Sequence, residues 1–277
     1  MVAVIIAACV ALLAVIAVVF CTAPGRMPPE AKRISETFKG LNCAHRGLYG
    51  EDQQPPENSI PAFEAARAAG YGAELDVQLS SDGQVVVFHD DGLDRACGVA
   101  KPVNSLSREE LSALPLFGTS ERMPLLTEAL GALGDAPVIV ELKPAGASNA
   151  LLCEKTLAIM REHGRTWCVE SFDPRIVGWF LRNAPDVLRG QLGDLPRNYE
   201  NQPRATAFLL GNLLTNFISR PHFVAYGAGR RPLTARLCMA MGAFKIVWTL
   251  RPEHDTAEFE RANDAFIFEH YSPAPRR

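Results

Sequence analysis

The chain has 277 residues, of which 48% are apolar and 21% charged, and its formal net charge is −3. This balance is typical of a globular protein with a sizeable core, and it argues against a nucleic-acid partner, because binding to a phosphate backbone needs a basic surface. The seven cysteines are scattered and odd in number. They do not form a disulfide framework, and they favour a reducing compartment. Nothing in the sequence indicates a protein partner.

The N-terminus is an unbroken apolar stretch from Val2 to Phe20 that continues to Ala23. About 20 such residues span the apolar core of a bilayer. We therefore predict that residues 1–23 form an uncleaved, single-pass anchor in the cell membrane. No basic residue precedes the stretch and three follow it, so the positive-inside rule places the rest of the chain in the cytoplasm; these residues are Arg26, Lys32 and Arg33. The alternative is an export signal, although a basic leader is missing.

Residues 24–38 are rich in proline and predict a linker to one large domain, residues 39–277. In that domain, short apolar runs alternate with amphipathic helical stretches. The predicted strands are Leu41–His45, Ala73–Val77, Val138–Leu142, Trp167–Ser171, Val187–Leu192, His222–Tyr226, Phe244–Thr249 and Ala265–Glu269. The helical stretches include Ser59–Ala69, Ala150–His163, Pro174–Asn183 and Glu253–Asn263. Such alternation implies parallel strands with helical crossovers, and eight units close into an α/β fold, the (β/α)8 TIM barrel.

A further apolar run, Val85–His89, does not fit the barrel count. It follows the second strand across Asp82-Gly83, which is a strong hairpin signal. Pairing outward from this turn brings residues 87–89 opposite Asp76 and Glu74. We therefore expect a small insertion after the second strand, continued by residues 91–125, as an excursion from the barrel mouth.

Charged residues terminate four of the apolar runs. The strings are His45-Arg46-Gly47, Glu74-Leu75-Asp76, His89-Asp90 and Glu141-Leu142-Lys143. Catalytic groups of barrel enzymes lie at the carboxyl ends of the strands, so these side chains are expected to meet at the mouth. Together they suit a divalent cation, a phosphate and a proton-transfer pair, which points to metal-assisted phosphodiester hydrolysis.

Glu74 and Asp76 are two residues apart on a strand and therefore point to the same side. Two buried carboxylates repel each other unless something compensates their charge, and a hard cation with oxygen ligands does so. Glu141, on the next barrel strand, would be the third carboxylate. A buried salt bridge to Lys143 is the alternative interpretation.

His45 and His89 each close an apolar run. A single such histidine is more often a hydrogen-bonded core residue, but two that converge on carboxylates suit a general acid and a general base. Arg46 can hold a phosphate through a bidentate fork. In the segment from Glu57 to Ser59, the serine is expected to cap the following helix. Glu57 and Asn58 are candidates for the mouth.

The strings above and several others follow one another in the order of a known family: Pro56-Glu57-Asn58-Ser59, Asp82-Gly83, Asp94-Arg95, Ser171-Phe172 and Trp248-Thr249. Over residues 40–270 the sequence resembles the glycerophosphodiester phosphodiesterases, whose barrel is shared with phosphatidylinositol-specific phospholipases C. The resemblance implies one Ca²⁺ or Mg²⁺ on Glu74, Asp76 and Glu141. It also implies acid/base catalysis by His45 and His89 and phosphate contacts from Arg46 and Lys143. Trp248 would line the mouth, and Glu57 and Asn58 would support the site.

The function that follows is metal-dependent hydrolysis of a glycerophosphodiester to glycerol phosphate and an alcohol, and a lysolipid is the other small-molecule substrate considered. A lysophospholipase D or a phosphatidylinositol-type phospholipase on the same barrel is an alternative. A non-catalytic barrel that binds lipid or phosphate is another.

Two regions depart from the family pattern. Phe268-Glu269 replaces the polar pair that usually ends the last strand. Residues 198–220 are longer than a plain barrel connection and strongly apolar. For residues 205–218 we favour a buried crossover helix over a membrane-dipping one.

Overall fold

Nine strands form a single sheet in the computed structural model, which describes residues 1–164, 166–200 and 202–274. They are β1 (Asn42–Ala44), β2 (Gly72–Leu79), β3 (Val85–Val87), β4 (Val138–Leu142), β5 (Trp167–Ser171), β6 (Arg189–Gly193), β7 (Phe223–Gly227), β8 (Phe244–Leu250) and β9 (Ala265–Phe268). Eight of them are parallel, and β1 pairs with both β2 and β9, which closes the barrel. The predicted TIM barrel is confirmed, and the eight predicted strands match within two residues at each end.

Helices connect the strands on the outside of the barrel, and two precede the first strand. They are α1 (Val2–Thr22), α2 (Pro29–Phe38), α3 (Ile60–Ala68), α4 (Asp94–Cys97), α5 (Arg108–Ser112), α6 (Leu126–Leu133), α7 (Asn149–His163), α8 (Pro174–Asn183), α9 (Arg204–Gly211), α10 (Asn216–Ser219), α11 (Leu233–Ala240) and α12 (Thr256–Ala262). The four predicted helical stretches correspond to α3, α7, α8 and α12.

The extra strand forms the expected hairpin. β3 runs antiparallel to β2, with Val87 opposite Val77, and the Phe88 amide donates to the Asp76 carbonyl at 3.0 Å. The chain thus returns to the level of Asp76, as the turn signal predicts. The excursion that follows carries α4 and α5 and has an apolar cluster of its own, which includes Leu93, Leu111 and Met123.

The floor of the barrel is covered by α2, which lies inside the predicted linker. Its residues Ala31 and Phe38 are fully buried and pack in one cluster with Cys43 and Cys168, which fill the barrel interior as small apolar side chains. The segment before residue 39 therefore contributes to the core. The domain limits stay predictions, and residues 275–277 of the predicted domain lie outside the described part of the chain.

α1 has 21 residues, a mean hydropathy of 3.3, and no buried residue in its most apolar window. It is long and apolar enough to cross a membrane, a test that signal sequences also pass. Only its last turn is fixed to the barrel: Thr22 is buried, and its carbonyl accepts a hydrogen bond from Asn216 Nδ2 at 3.2 Å.

The apolar segment between β6 and β7 forms α9 and α10. Ala207 and Gly211 are buried, but Phe208, Leu209 and Phe217 are exposed. The predicted buried crossover is therefore correct for one face of the segment only, because its other face carries large apolar side chains that the barrel does not cover.

Candidate active site

The interior of the barrel changes character along each strand. Residues two apart on a strand point the same way, so the inward-facing side chains of a strand lie at successive levels of the barrel interior. On β4, Ile139 is packed in the apolar floor and Glu141 lies one layer above it; on β5, Cys168 and Glu170 repeat this arrangement. The charged groups thus collect at the carboxyl-terminal rim, where barrel active sites are found.

Three carboxylates converge at this rim. Glu74, Asp76 and Glu141 are buried, Asp76 is directly opposite Glu141 in the sheet register, and one oxygen from each lies within 4.8 Å of the others. Oxygen donors at such separations suit a single hard cation. Sequence reasoning placed these three residues together, and the structure brings them together.

The charge balance of the cluster fits a bound cation. Lys143 Nζ lies 2.8 Å from Asp76 Oδ1 and 2.8 Å from Glu141 Oε1, so the ion pair that was the alternative interpretation is present. It does not neutralise the site, because one ammonium group faces three carboxylates. Burial and the neighbouring Asp76 carboxylate raise the pKa of Glu74 well above its ordinary value. The cluster therefore has more negative charge than its own cations neutralise.

Lys143 and Arg46 act unequally on the three carboxyl groups. Burial acts to raise the pKa of Asp76, yet Lys143, with further cationic neighbours, holds it well below its ordinary value. For Glu141, burial outweighs the attraction of Lys143, and its pKa is raised. Glu74 and Glu141 thus resist ionisation, whereas Asp76 is ionised. A divalent cation beside them would favour the ionised form of all three carboxyl groups.

His45 directly follows β1 and is held by Glu269, the residue that directly follows β9. Its Nδ1 lies 2.6 Å from Glu269 Oε2, and its Nε2 lies 4.0 Å from Glu74 Oε2. Tyr49 and Arg251 also donate to Glu269, at 2.9 Å and 2.6 Å. Burial and the nearby Arg46 lower the pKa of His45 to about 4, so the ring is neutral at pH 7 and donates from Nδ1.

His89 follows β3 on the excursion and is held by its own neighbour. Its Nδ1 lies 2.6 Å from Asp90 Oδ1, and Arg95 Nε donates to the other oxygen of Asp90 at 2.6 Å. Gln78 fixes this segment to β2 by donating to the Phe88 and Asp90 carbonyls. The side chain of His89 is 32% exposed and that of His45 is 15% exposed, so His89 is the more accessible to solvent.

Arg46 and Gly47 make the sharp exit from β1 that the sequence suggested. Both have positive φ, 54° and 82°, and a Cβ at Gly47 would lie 2.9 Å from Ala62. A non-glycine residue in this region is uncommon and costs free energy. The conformation points the Arg46 amide at Glu74 Oε2, 3.0 Å away, while its guanidinium pairs with Glu57 at 2.8 Å.

The turn before α3 contributes to the same site. Ser59 caps the helix, as expected, by accepting a hydrogen bond from the Ala62 amide. Asn58 donates from Nδ2 to Asp76 Oδ2 at 2.8 Å, and Glu57 lies between the guanidinium groups of Arg46 and Arg95. Glu57 and Asn58, which the sequence made candidates for the mouth of the barrel, thus both lie there.

Trp248 lies near the carboxyl end of β8, at the edge of a cleft of about 770 Å³. Its Nε1 donates to the Ala225 carbonyl at 3.1 Å, and its ring meets Phe172 edge-on at 5.5 Å. The cleft runs from His89 to the side chains of α9 and α10, where Leu210 and Ile218 line it. The predicted position of Trp248 at the mouth agrees with this geometry.

Sequence reasoning assigned no role to Glu269, Asp90 or Glu170. Glu269 ends an apolar run in charge, which is the signal that identified the other four strings, but it was noted only as a departure from the family pattern. Asp90 follows His89 directly, and its contact depends on a side-chain rotamer that sequence does not give. Glu170 is buried directly opposite Glu141 in the sheet register and also ends an apolar run, so the signal that identified Glu141 was present there as well.

The fold and the rim define a TIM barrel with a buried carboxylate cluster that could hold a metal ion and with two oriented histidines. Residues 45–270 match the model of the glycerophosphoryl diester phosphodiesterase family, and the chain belongs to that family. The resemblance noted from the sequence is thus confirmed.

Two relatives and two solved structures illustrate the similarity. The chain is 38% identical over 149 residues to a glycerophosphodiester phosphodiesterase of Caldanaerobacter subterraneus (50% of this chain, 57% of that protein). It is 31% identical over 147 residues to the lysophospholipase D GDPD1 of Homo sapiens (48% and 45%). The alignments span about half the length of these relatives.

Among solved structures, an Oleispira antarctica phosphodiesterase in complex with the product sn-glycerol-3-phosphate superposes with a TM-score of 0.69 at 21% identity (86% of this chain, 96% of that one). A putative glycerophosphoryl diester phosphodiesterase of Silicibacter pomeroyi gives 0.67 at 22% identity (86% and 93%). At these identities the structures establish the shared fold.

Proposed function

We propose that this protein hydrolyses a glycerophosphodiester to glycerol phosphate and an alcohol, with a divalent cation. The observation that carries the proposal is the buried cluster of Glu74, Asp76 and Glu141, whose oxygens lie within 4.8 Å of one another at the rim of a barrel of this family. The activity named for the Caldanaerobacter relative and the product bound in the Oleispira structure support the same substrate class.

The cation would be held by Glu74, Asp76 and Glu141, since hard oxygen donors suit Ca²⁺ or Mg²⁺. When bound, it would neutralise charge on a phosphoryl oxygen and lower the pKa of a bound hydroxyl or water.

Lys143 and Arg46 bind the phosphate in this proposal. The Lys143 ammonium has three donors, and two of them face Asp76 and Glu141, which leaves one for a phosphoryl oxygen. The Arg46 guanidinium has five donors and spends one hydrogen bond on Glu57. Both cations are therefore fixed in direction by carboxylates and still able to stabilise charge that develops on phosphorus.

The two histidines divide the proton transfers. His45 is neutral because burial lowers its pKa to about 4, and Glu269 holds the tautomer in which Nε2 is free to accept a proton. We assign it the general base that activates water or a glycerol hydroxyl. His89, which is more exposed and oriented by Asp90, borders the cleft and is assigned the general acid for the leaving alcohol.

The N-terminal region completes the proposal. Residues 1–23 anchor the enzyme in the cell membrane through α1, residues 24–38 lead into the barrel, and residues 39–277 form the catalytic domain. The basic residues that follow α1 favour a cytoplasmic barrel.

A lysophospholipase D activity is the second candidate, and a specific observation favours it. The cleft beside His89 is lined by apolar side chains, including Phe172 and Leu210, that suit an acyl chain. The human relative named as a lysophospholipase D supports the same class.

The test is incubation of the full chain in detergent with a panel of glycerophosphodiesters, lysophospholipids and phosphatidylinositol, with Ca²⁺, Mg²⁺ or chelator. We expect cation-dependent release of the alcohol from a glycerophosphodiester or a lysophospholipid. Release from phosphatidylinositol alone would favour the phospholipase alternative. Binding of the panel without turnover under any cation would overturn the proposal in favour of a non-catalytic barrel.

A further inference from the structure

Three neighbouring helices expose large apolar side chains on one side of the barrel. Phe208 is 54% exposed, Phe217 45% and Leu233 77%, and Leu209 lies beside Phe208. We call these four residues on α9, α10 and α11 the apolar face. The start of α11 lies next to the end of α9, because the Thr234 hydroxyl donates to the Asn212 side chain at 3.1 Å. Patches of this kind mark interaction sites.

The chain segment that carries the apolar face contains no acidic residue of its own. Between Glu200 and Glu253 the sequence contains no acidic residue and seven basic ones: Arg204, Arg220, Arg230, Arg231, Arg236, Lys245 and Arg251. Arg204 and Arg236 are exposed on α9 and α11 themselves. Since the whole chain has a net charge of −3, this segment is a positive exception on an otherwise acidic protein.

The same face receives the end of α1. The Phe20 ring stacks on Phe217 with centroids 6.1 Å apart, and the Arg220 guanidinium lies 4.7 Å above the Phe20 ring. Arg220 also donates to the carbonyls of Phe20 and Ala23, at 3.0 Å and 3.1 Å. The apolar helix α1 therefore leaves the barrel at the apolar face, next to Arg220.

We propose that the apolar face rests on an anionic lipid bilayer, the one that α1 enters. The proposal uses the α1 anchor of the proposed function and none of its chemistry. Apolar side chains flanked by arginines match the interface between acyl chains and anionic headgroups. A second copy of the chain is the poorer occupant, because two faces of the same positive charge repel each other.

This docking has a consequence for the cleft. Leu210 and Ile218, which line it, lie on the helices of the apolar face. A bilayer on that face lies alongside the cleft wall, so a substrate with an acyl chain has a short path from the lipid to His89.

Brominated-lipid quenching of an added tryptophan tests the proposal. The full chain is reconstituted in vesicles of equal parts brominated phosphatidylcholine and phosphatidylglycerol, as wild type, Phe208→Trp and Leu233→Trp. Leu151→Trp is the matched control, because Leu151 is an exposed apolar residue (42%) on α7, away from the face. We expect the fluorescence of the tryptophans added at 208 and 233 to be largely lost, and that of the control to be retained.

The outcomes separate the face from the anchor. Retained fluorescence at 208 and 233 in a chain that resists carbonate extraction leaves α1 inserted and overturns the docking of the face. Retained fluorescence with dimers in detergent assigns the face to a second copy and also overturns it. A chain that washes off the vesicles overturns the anchor and the docking together, but leaves hydrolysis unaffected.

Charge reversal gives an independent readout. Arg236→Glu in the Phe208→Trp chain weakens the attraction to the anionic surface by more than about fivefold, since one cation near such a surface contributes about that factor. Quenching should then fall, and it should also fall when phosphatidylcholine replaces all the phosphatidylglycerol. If neither change reduces the quenching, the proposal that the face prefers an anionic bilayer is contradicted.

Discussion

The two ends of this barrel are built from the same eight strands with opposite chemistry. At the floor, Phe38 of α2 closes a cluster of fully buried apolar side chains that includes Ile139 and Cys168. Two residues further along the same strands, Glu141 and Glu170 enter a rim of buried charge. The change takes about 7 Å of strand.

The difference shows how one scaffold separates stability from chemistry. The floor lowers the free energy of the folded chain by burying apolar surface. The rim does the reverse, because it gathers carboxylates that repel one another and residues at positive φ such as Arg46 and Asn58. Such strain is tolerated only where the surrounding structure fixes it, and it is typical of functional sites.

The sharpest way to test this contrast is to change both layers on neighbouring strands. Glu74→Ala should lower turnover at least about a thousandfold, because a bound cation contributes several kcal/mol to the transition state, and the remaining turnover should not respond to Ca²⁺ or Mg²⁺. Ile139→Val, in the floor, should cost about 1 kcal/mol of stability with normal turnover. Activity of Glu74→Ala that survives in chelator would show that the cluster does not hold a catalytic cation.

The histidines come next in expected effect. His45→Ala and His89→Ala should each lower turnover by about 10²- to 10⁴-fold, the usual contribution of an acid or a base. Circular dichroism should show that both variants stay folded, since neither side chain packs in the floor. Near-native turnover of either variant removes that histidine from the mechanism.

Phe38→Ala tests the floor alone. Removing this fully buried ring should cost about 3–5 kcal/mol in the free energy of unfolding, because it leaves a cavity. The turnover of the molecules that remain folded should not change. The folded fraction of the variant is obtained from a chemical denaturation curve, and the turnover is divided by it. A loss of turnover per folded molecule would mean that packing in the floor affects catalysis at the rim.

Glu269→Gln probes the positioning of His45. We expect turnover to fall about 10- to 100-fold, as for other residues that orient a reacting group. Tyr49→Phe removes a different hydrogen bond to Glu269 and should have a smaller effect. The pH profile distinguishes positioning from general damage: its acid limb should move in Glu269→Gln and stay in place in Tyr49→Phe.

Acid should destabilise the metal-free chain through His45. Its pKa in the folded state is about 4, below the ordinary value, so the unfolded chain binds the extra proton first as the pH falls. Stability is therefore lost between about pH 6.5 and pH 4, by at most about 1.4 kcal/mol per pH unit. Urea unfolding of wild type and His45→Gln across this range measures the difference, and equal slopes would contradict the assignment.

Sequence patterns predicted the barrel well because parallel strands that are buried on both faces stand out as short apolar runs. They also located Glu74, Asp76, Glu141 and both histidines, since the carboxyl ends of such strands must meet. What they could not give is pairing between side chains. That Glu269 serves His45, or that Lys143 points at Asp76 and Glu141, depends on rotamers and on strand register.

The segment before β1 shows a second limit. Residues 24–38 look like a linker because prolines dominate their start, yet Pro29 begins a helix whose buried face closes the floor. Proline at the first helical position is favourable, so the same residue signals both a break and a start. Only the packing of Ala31 and Phe38 distinguishes them.

The central claim is that carboxylates from two adjacent strands share one divalent ion. Isothermal titration of the chelator-treated full chain in detergent with Ca²⁺ and Mg²⁺ tests it without recourse to turnover. The account predicts one cation per chain for the wild type and none for a folded Asp76→Asn variant. Absence of binding to the wild type, or equal binding to both proteins, would contradict it.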